Sequence, residues 1–257
     1  MSIKEFFGFG GYQRTPEGYM SWQHLTFVTS LMVIMIACAV LLGTLYRKKD
    51  VVKRNRVLIV SAILIDSIEL FKIVMLCIIS KDPMRWTYEL PLFLCSIQLI
   101  AIPLAAFGKG KFKDGALDFV TIFGVLGALL GTYFAGQNYG CYPVISFDNV
   151  VSGVTHSISG FCALYIMISG MASMKKKSIP VTLGILGGFC AAAYLANVIL
   201  DYNYMFLVRG DGTPYDILYN LVGGNAVLYP IFVVLLFVVY IAAFYGVYYL
   251  CTKKKKA

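Results

Sequence analysis

Seven long apolar runs, separated by short polar loops, constrain this chain more than any other feature of its sequence. At a rise of about 1.5 Å per residue, a helix needs roughly 20 apolar residues to cross the hydrocarbon core of a bilayer. The 257-residue chain is 59% hydrophobic and only 14% charged, which is too apolar for one soluble core. The runs lie at 25–46, 57–79, 89–107, 117–135, 150–172, 179–200 and 228–250. Because backbone groups in lipid must be satisfied internally, we predict an all-α integral membrane bundle of about seven transmembrane helices.

Lysine and arginine are concentrated in alternate loops. The loops after the first, third and fifth runs, together with the C-terminal tail, hold 16 of the 22 basic residues, and the other side holds 5. Since basic loops stay in the cytoplasm, we predict a multi-pass protein of the cell membrane with its N-terminus outside and its C-terminus cytoplasmic. The expected parts are an extracytoplasmic or interfacial segment at 1–24, a transmembrane domain at 25–250 and a basic cytoplasmic tail at 251–257.

Small residues recur at three- or four-residue spacing in the fourth and sixth runs. The fourth run contains Gly124, Gly127 and Gly131, and the sixth contains Gly184 and Gly188. Small residues allow helix backbones to approach each other closely in a membrane. We therefore expect both runs to pack inside the bundle.

Charged residues inside the second run are candidates for function, because ionisable groups in a membrane core are costly. Asp66, Glu69 and Lys72 follow one another at three-residue spacing, which places them on one face of a helix. One interpretation is an internal Glu69–Lys72 pair that orients the helix. The other is a charged wall that binds a substrate, and it also accounts for Asp66.

Other polar residues of the runs collect at the predicted outer end of the bundle. His156, in the fifth run, is a candidate general base, or it is bonded to a neighbouring helix. Cys95 is a candidate nucleophile. Further candidates at this end are Gln98, Asn197, Asp201 and Asn203 for substrate binding, and His24 at the start of the first run. Together these residues predict an active or binding cavity that opens to the outer leaflet.

Four short motifs also carry a family resemblance. They are Trp22-Gln-His-Leu25, Leu90-Pro-Leu-Phe-Leu-Cys-Ser96, Thr155-His156-Ser157 and Asn203-Tyr-Met-Phe-Leu207. In this order the motifs resemble the YwaF-type integral membrane proteins of Gram-positive bacteria. That family is distantly similar to an animal transmembrane acyltransferase, which moves polyunsaturated acyl chains between phospholipids.

The resemblance implies lipid acyl transfer, with Cys95 as the nucleophile, His156 as its base, and Asp201 or His24 as an orienting group. The animal relative carries its cysteine in an Asn-Pro-Cys-His motif. The corresponding places here are Leu92 and Phe93, and Cys95 lies one helical turn further along.

Three functions remain open from the sequence: a membrane-embedded acyltransferase, a small-molecule transporter or ligand-binding protein, and a membrane scaffold or accessory subunit. Membrane lipids are the expected partners. Nucleic acid is not, because the basic residues lie in short loop clusters beside apolar runs. We expect no cofactor and no metal, since no cysteine or histidine cluster has metal-ligand spacing. The sequence does not determine the substrate or the oligomeric state.

Overall fold

The computed structural model describes residues 2–253, and within this range the chain is helical and has no strand. The predicted basic tail at 251–257 lies mostly outside the described residues. The α-helices are α1 Ile3–Phe7, α2 Trp22–Tyr46, α3 Val51–Ser80, α4 Gln98–Phe107, α5 Gly110–Leu130, α6 Gly136–Cys141, α7 Phe147–Ile168, α8 Ile179–Leu200, α9 Asp216–Leu221 and α10 Leu228–Lys253. The seven predicted runs therefore correspond to α2, α3, α4, α5, α7, α8 and α10.

Three of the long helices begin at a side chain that caps the free backbone amides of their first turn. Ser21 accepts a hydrogen bond from the amide of His24 at the start of α2, at 3.2 Å. Asp50 caps α3 and Ser146 caps α7 in the same way. Serine and aspartate are favoured at this position because their short side chains reach back to the amide nitrogens.

Four helices are long and apolar enough to cross a membrane. They are Trp22–Tyr46, Phe147–Ile168, Lys176–Leu200 and Leu228–Thr252. The other three runs meet these criteria less well. Helix α3 carries the charged residues of the second run, α5 begins among lysines and aspartates, and α4 has only 10 residues.

The third run differs most from the prediction. It was expected to be helical over 89–107, but the helix begins only at Gln98. Pro91 disfavours helical geometry at Leu90, and the Ser96 hydroxyl accepts a hydrogen bond from the Phe93 amide at 3.1 Å. Such local bonds compete with helix formation. The segment 90–97, which carries Cys95, is therefore a series of turns rather than a helix.

Helices α5 and α7 form the centre of the bundle, and glycines bring them together. A Cβ atom built on Gly124 would lie 2.8 Å from the Ser159 carbonyl oxygen, and one on Gly160 would lie 2.8 Å from the Ala128 Cβ. The two backbones are thus in direct contact, as expected for α5. For α8 the expectation is wrong, because Gly184 and Gly188 are exposed and meet nothing within 4 Å. Small residues permit a close approach, but they do not choose which face of a helix receives a partner.

Candidate functional site

Cys95 and His156 lie next to each other, although they come from different parts of the chain. The Cys95 side chain lies close enough to the His156 ring for the two to interact electrostatically, although no hydrogen bond joins them. Helix α5 provides the space for both residues. A Cβ on Gly127 would lie 3.4 Å from the Cys95 Cα, and one on Gly131 would overlap the His156 ring at Cδ2 and Nε2. Two glycines one turn apart thus seat the two side chains against the same helix.

The hydrogen bonds of His156 determine which ring nitrogen can act as a base. Nδ1 lies 2.7 Å from the Ser152 carbonyl oxygen on the preceding turn of α7. A carbonyl can only accept, so Nδ1 carries the proton and Nε2 has the free lone pair. Nε2 is buried and has no completed hydrogen bond within the described residues. Catalytic hydrogen bonds are often long or poorly aligned before substrate binds, which fits a thiol that is close but not hydrogen-bonded.

The local backbone places partial positive charge at Cys95. The peptide N–H groups of Cys95 and Ser96 have no backbone carbonyl partner within the described chain. They lie in the turn that leads directly into α4. Such amides stabilise negative charge that develops during a reaction.

A network of four charges joins α3 to the segment that precedes Cys95. Lys72 Nζ lies 2.5 Å from Glu69 and 3.2 Å from Glu89, and Arg85 lies 3.3 Å from the other oxygen of Glu89. The predicted Glu69–Lys72 pair is confirmed. Two carboxylates balance two cations, so the network is neutral and holds the Cys95 segment against α3. The Glu69 carboxylate also interacts electrostatically with His156.

Glu89 was not among the candidate site residues. One signal in the sequence could have identified it, namely an acidic residue four positions after Arg85 at the mouth of an apolar run. Its second partner, Lys72, could not have been identified, because α3 and the segment before α4 meet only in the folded chain. Asp66, by contrast, is partly exposed on α3 and forms no ion pair within the described residues.

His24 is fully buried and uses both of its ring nitrogens. Nδ1 accepts a hydrogen bond from the Met20 amide at 3.2 Å, and Nε2 donates to the Thr132 carbonyl at 3.1 Å. The ring also packs against Tyr139 in a tilted arrangement, with centroids 3.9 Å apart. Since no lone pair of the ring remains free, His24 does not act as a general base. Its structural effect is to fasten the start of α2 to the end of α5, next to Gly131.

The candidates after α8 organise a loop. The Asn197 side chain accepts from the Tyr204 amide at 2.5 Å and donates to the Tyr204 carbonyl at 3.0 Å. Asn203 binds Asp211 and three backbone groups of residues 208 and 209. Asp201 is exposed and ends α8 in the left-handed conformation. These side chains have their partners within the loop, and the orienting group of His156 is Ser152 rather than Asp201.

Gln98 differs from all of these. It opens α4, is completely buried, and neither its amide nitrogen nor its amide oxygen has a hydrogen-bond partner within the described residues. Two surface grooves lie elsewhere, along α2 and between α8 and α10, and neither is lined by Cys95 or His156. The predicted outward-facing cavity therefore stays a prediction. In the described part of the chain, no three His, Cys, Asp or Glu side chains are grouped to hold a metal ion.

The described chain is helical without strands, and four of its helices are long and apolar enough to cross a bilayer, as in a membrane protein. A family model matches residues 19–248, which include Cys95, His156 and almost every helix described above. The chain belongs to the TMEM164 family. No curated protein and no solved structure matches it. The narrower likeness to YwaF-type proteins stays a prediction.

Proposed function

We propose that this protein transfers acyl chains between membrane lipids, with Cys95 as the nucleophile and His156 as the general base. The observation that carries the proposal is that Cys95 and His156 lie side by side against Gly127 and Gly131 of α5, and that the histidine Nε2 is unprotonated and unbonded. An adjacent base is what converts a weakly acidic thiol into a nucleophile. The sequence resemblance to a phospholipid acyltransferase points to the same chemistry.

The reaction then proceeds in two steps, acylation of Cys95 and transfer of the acyl chain to an acceptor. The Cys95 thiol gives its proton to His156 Nε2, and the sulfur attacks the ester carbonyl carbon of a donor lipid. The tetrahedral intermediate collapses, the ester C–O bond breaks, and the leaving lysolipid oxygen takes the proton from His156. In the second half, His156 removes the proton from the hydroxyl of an acceptor lysolipid. That oxygen attacks the Cys95 thioester, the C–S bond breaks, and the proton returns to the sulfur.

An acyl adduct on the cysteine is the direct test of this proposal. The full-length protein in lipid nanodiscs is incubated with a phosphatidylcholine that carries an alkyne-tagged acyl chain, and its intact mass is recorded. We expect a single acyl addition, mapped to Cys95 by peptide analysis. Cys95→Ser should lose the addition, and Cys141→Ser, which changes an exposed cysteine outside the site, should keep it. A wild-type protein that forms no Cys95 adduct and transfers no acyl chain would refute the proposal.

We also propose seven transmembrane helices, with the N-terminus outside and the C-terminus cytoplasmic. In support, the basic loops share one end of the bundle: Arg54 of α3 binds the Ser169 carbonyl at the end of α7, and Lys113 of α5 binds Asn55 of α3. The third crossing combines α4 with the turns of 90–97. Irregular backbone at membrane depth is tolerated where protein surrounds it.

Cysteine labelling of intact cells tests this orientation. Cys141 follows α5 and Cys251 lies near the end of α10, and both are exposed. A membrane-impermeant maleimide should modify Cys141 but not Cys251, because the two residues are placed on opposite sides of the membrane. Permeabilised cells, in which both should react, serve as the control. Modification of Cys251 in sealed cells would reverse the orientation.

Transport is the second candidate function, and the interrupted third run favours it, since broken helices line many transporter sites. Two of the three charges proposed for such a site are already paired, however, and only Asp66 is not. Lys72 is shared by Glu69 and Glu89, and the network has no net charge. The acyltransferase proposal also accounts for the unbonded Nε2 of His156, which the transport proposal leaves unexplained.

A further inference from the structure

The Gln98 side chain is the most poorly satisfied polar group among residues 2–253. It is 0% exposed, and both of its amide atoms lack a partner. Burying an amide without hydrogen bonds is costly, and native proteins rarely accept it without a compensating role. An unexplained amide of this kind points to a ligand that completes its bonds.

The other unpartnered buried atoms have simpler explanations. Three of these atoms belong to side chains in which another atom forms a hydrogen bond. Two are hydroxyl oxygens of tyrosines, and the sixth is His156 Nε2, which belongs to the proposed site. The first five are Arg14 Nε, Arg54 Nε, Asn149 Oδ1, Tyr229 Oη and Tyr249 Oη. In the described chain, Gln98 is therefore the one buried amide with no bond at either atom.

The position of Gln98 connects it with Cys95. The buried residues of α4 form one stripe at helical spacing, namely Gln98, Ala101, Ile102, Ala105 and Ala106. Cys95 lies three residues before this stripe, in the turn that leads directly into α4, so its backbone is close to that of Gln98. This turn packs against α5, since the Cys95 backbone contacts Gly127. Two residues close to Cys95 in the fold, His156 and Gln98, thus carry polar groups without a partner.

We propose that the Gln98 carboxamide binds the ester group of the acyl-donor lipid at Cys95. This inference rests on the acyl transfer proposed above. The Gln98 NH₂ group donates a hydrogen bond to the ester carbonyl oxygen and stabilises the negative charge that this oxygen acquires when sulfur attacks. The peptide N–H groups of Cys95 and Ser96 contribute partial positive charge from the same turn. The ligand class is a glycerolipid acyl ester.

Gln98→Met tests the inference, because methionine has a similar size but no hydrogen-bonding group. The rate of alkyne-acyl addition to Cys95 is measured by intact mass in nanodiscs, with the tagged phosphatidylcholine as the probe. Loss of one donor to a developing oxyanion typically slows a reaction by roughly 10²–10³-fold, and we expect a decrease of about 10²-fold. The matched control is Thr121→Val on α5, since Thr121 is also completely buried but its hydroxyl is already bonded to the Leu117 carbonyl. It should acylate at the wild-type rate.

Thermal unfolding without added lipid separates a binding role from a structural role. An amide that waits for a ligand contributes nothing to the empty fold, so Gln98→Met should melt at or above the wild-type temperature. Gln98→Leu provides a second variant of similar volume in case methionine misfolds. Acylation at the wild-type rate in a folded variant, or a lowered melting temperature with unchanged acylation, overturns the role of Gln98 alone. A wild-type protein without any Cys95 adduct overturns the acyl-transfer proposal itself, and this inference with it.

Discussion

Acylation of Cys95 should become roughly 10³-fold slower when His156 is replaced by glutamine, because positioned general bases typically contribute 10²–10⁴-fold. Glutamine is polar and of comparable length, but it cannot take the thiol proton at neutral pH. The rate is followed by intact mass after addition of the tagged phosphatidylcholine. Since the thiol and the imidazole act as a unit, Cys95→Ala and the double variant should be equally inactive in lipid transfer. A folded His156→Gln protein that acylates at the wild-type rate would contradict the role of the histidine.

Gly131→Ala tests the geometry of the site without substituting either Cys95 or His156. Its new methyl group would overlap the His156 ring at Cδ2 and Nε2. The ring must therefore leave its position beside Cys95, and the rate of acylation should fall. Gly184→Ala is the matched change on α8, where nothing lies within 4 Å of the added atom. It should leave the rate unchanged.

Lys72→Met should be the most destabilising single change in the charge network, at about 3 kcal/mol of unfolding free energy. The substitution removes the shared cation and leaves the Glu69 carboxylate, whose side chain is only 11% exposed, without its partner. The double variant Glu69→Gln plus Lys72→Met should lose less than Lys72→Met alone, because no unpaired carboxylate then remains at Glu69. Thermal and denaturant unfolding of the detergent-solubilised protein measures the difference.

Lys53→Met is the matched control for this prediction. Lys53 also pairs with an acid three residues away on α3, at 3.4 Å from Asp50, but both side chains are more than half exposed. Exposed pairs contribute little, so no measurable change is expected. If the single and double variants at Glu69 and Lys72 unfold alike, the two residues do not depend on each other for stability.

Local features of the sequence were sufficient for several conclusions. The apolar runs predicted the helices, because an apolar segment in lipid must form its backbone hydrogen bonds within itself. The three-residue spacing of Glu69 and Lys72 predicted their ion pair, because residues at this spacing are neighbours on any helix. The glycines of α5 predicted its close packing for a similar reason.

Contacts between distant segments could not be predicted from local features of the sequence. The break in the third run depends on Pro91 and on the turn held by Ser96, and it moves Cys95 from a helix onto a turn. The roles of His24 and Asn203 were visible only when their backbone partners came into contact with them.

The sequence by itself determined that this chain forms membrane helices and which residue types are available for chemistry. Periodicity and composition are properties of a segment, so they can be evaluated one segment at a time. Only the tertiary structure decided that Cys95 meets His156, that Glu89 joins Glu69 and Lys72, and that Gln98 has no partner. These contacts depend on how α4, α5 and α7 pack together, and packing is set by the shapes of all the helices at once.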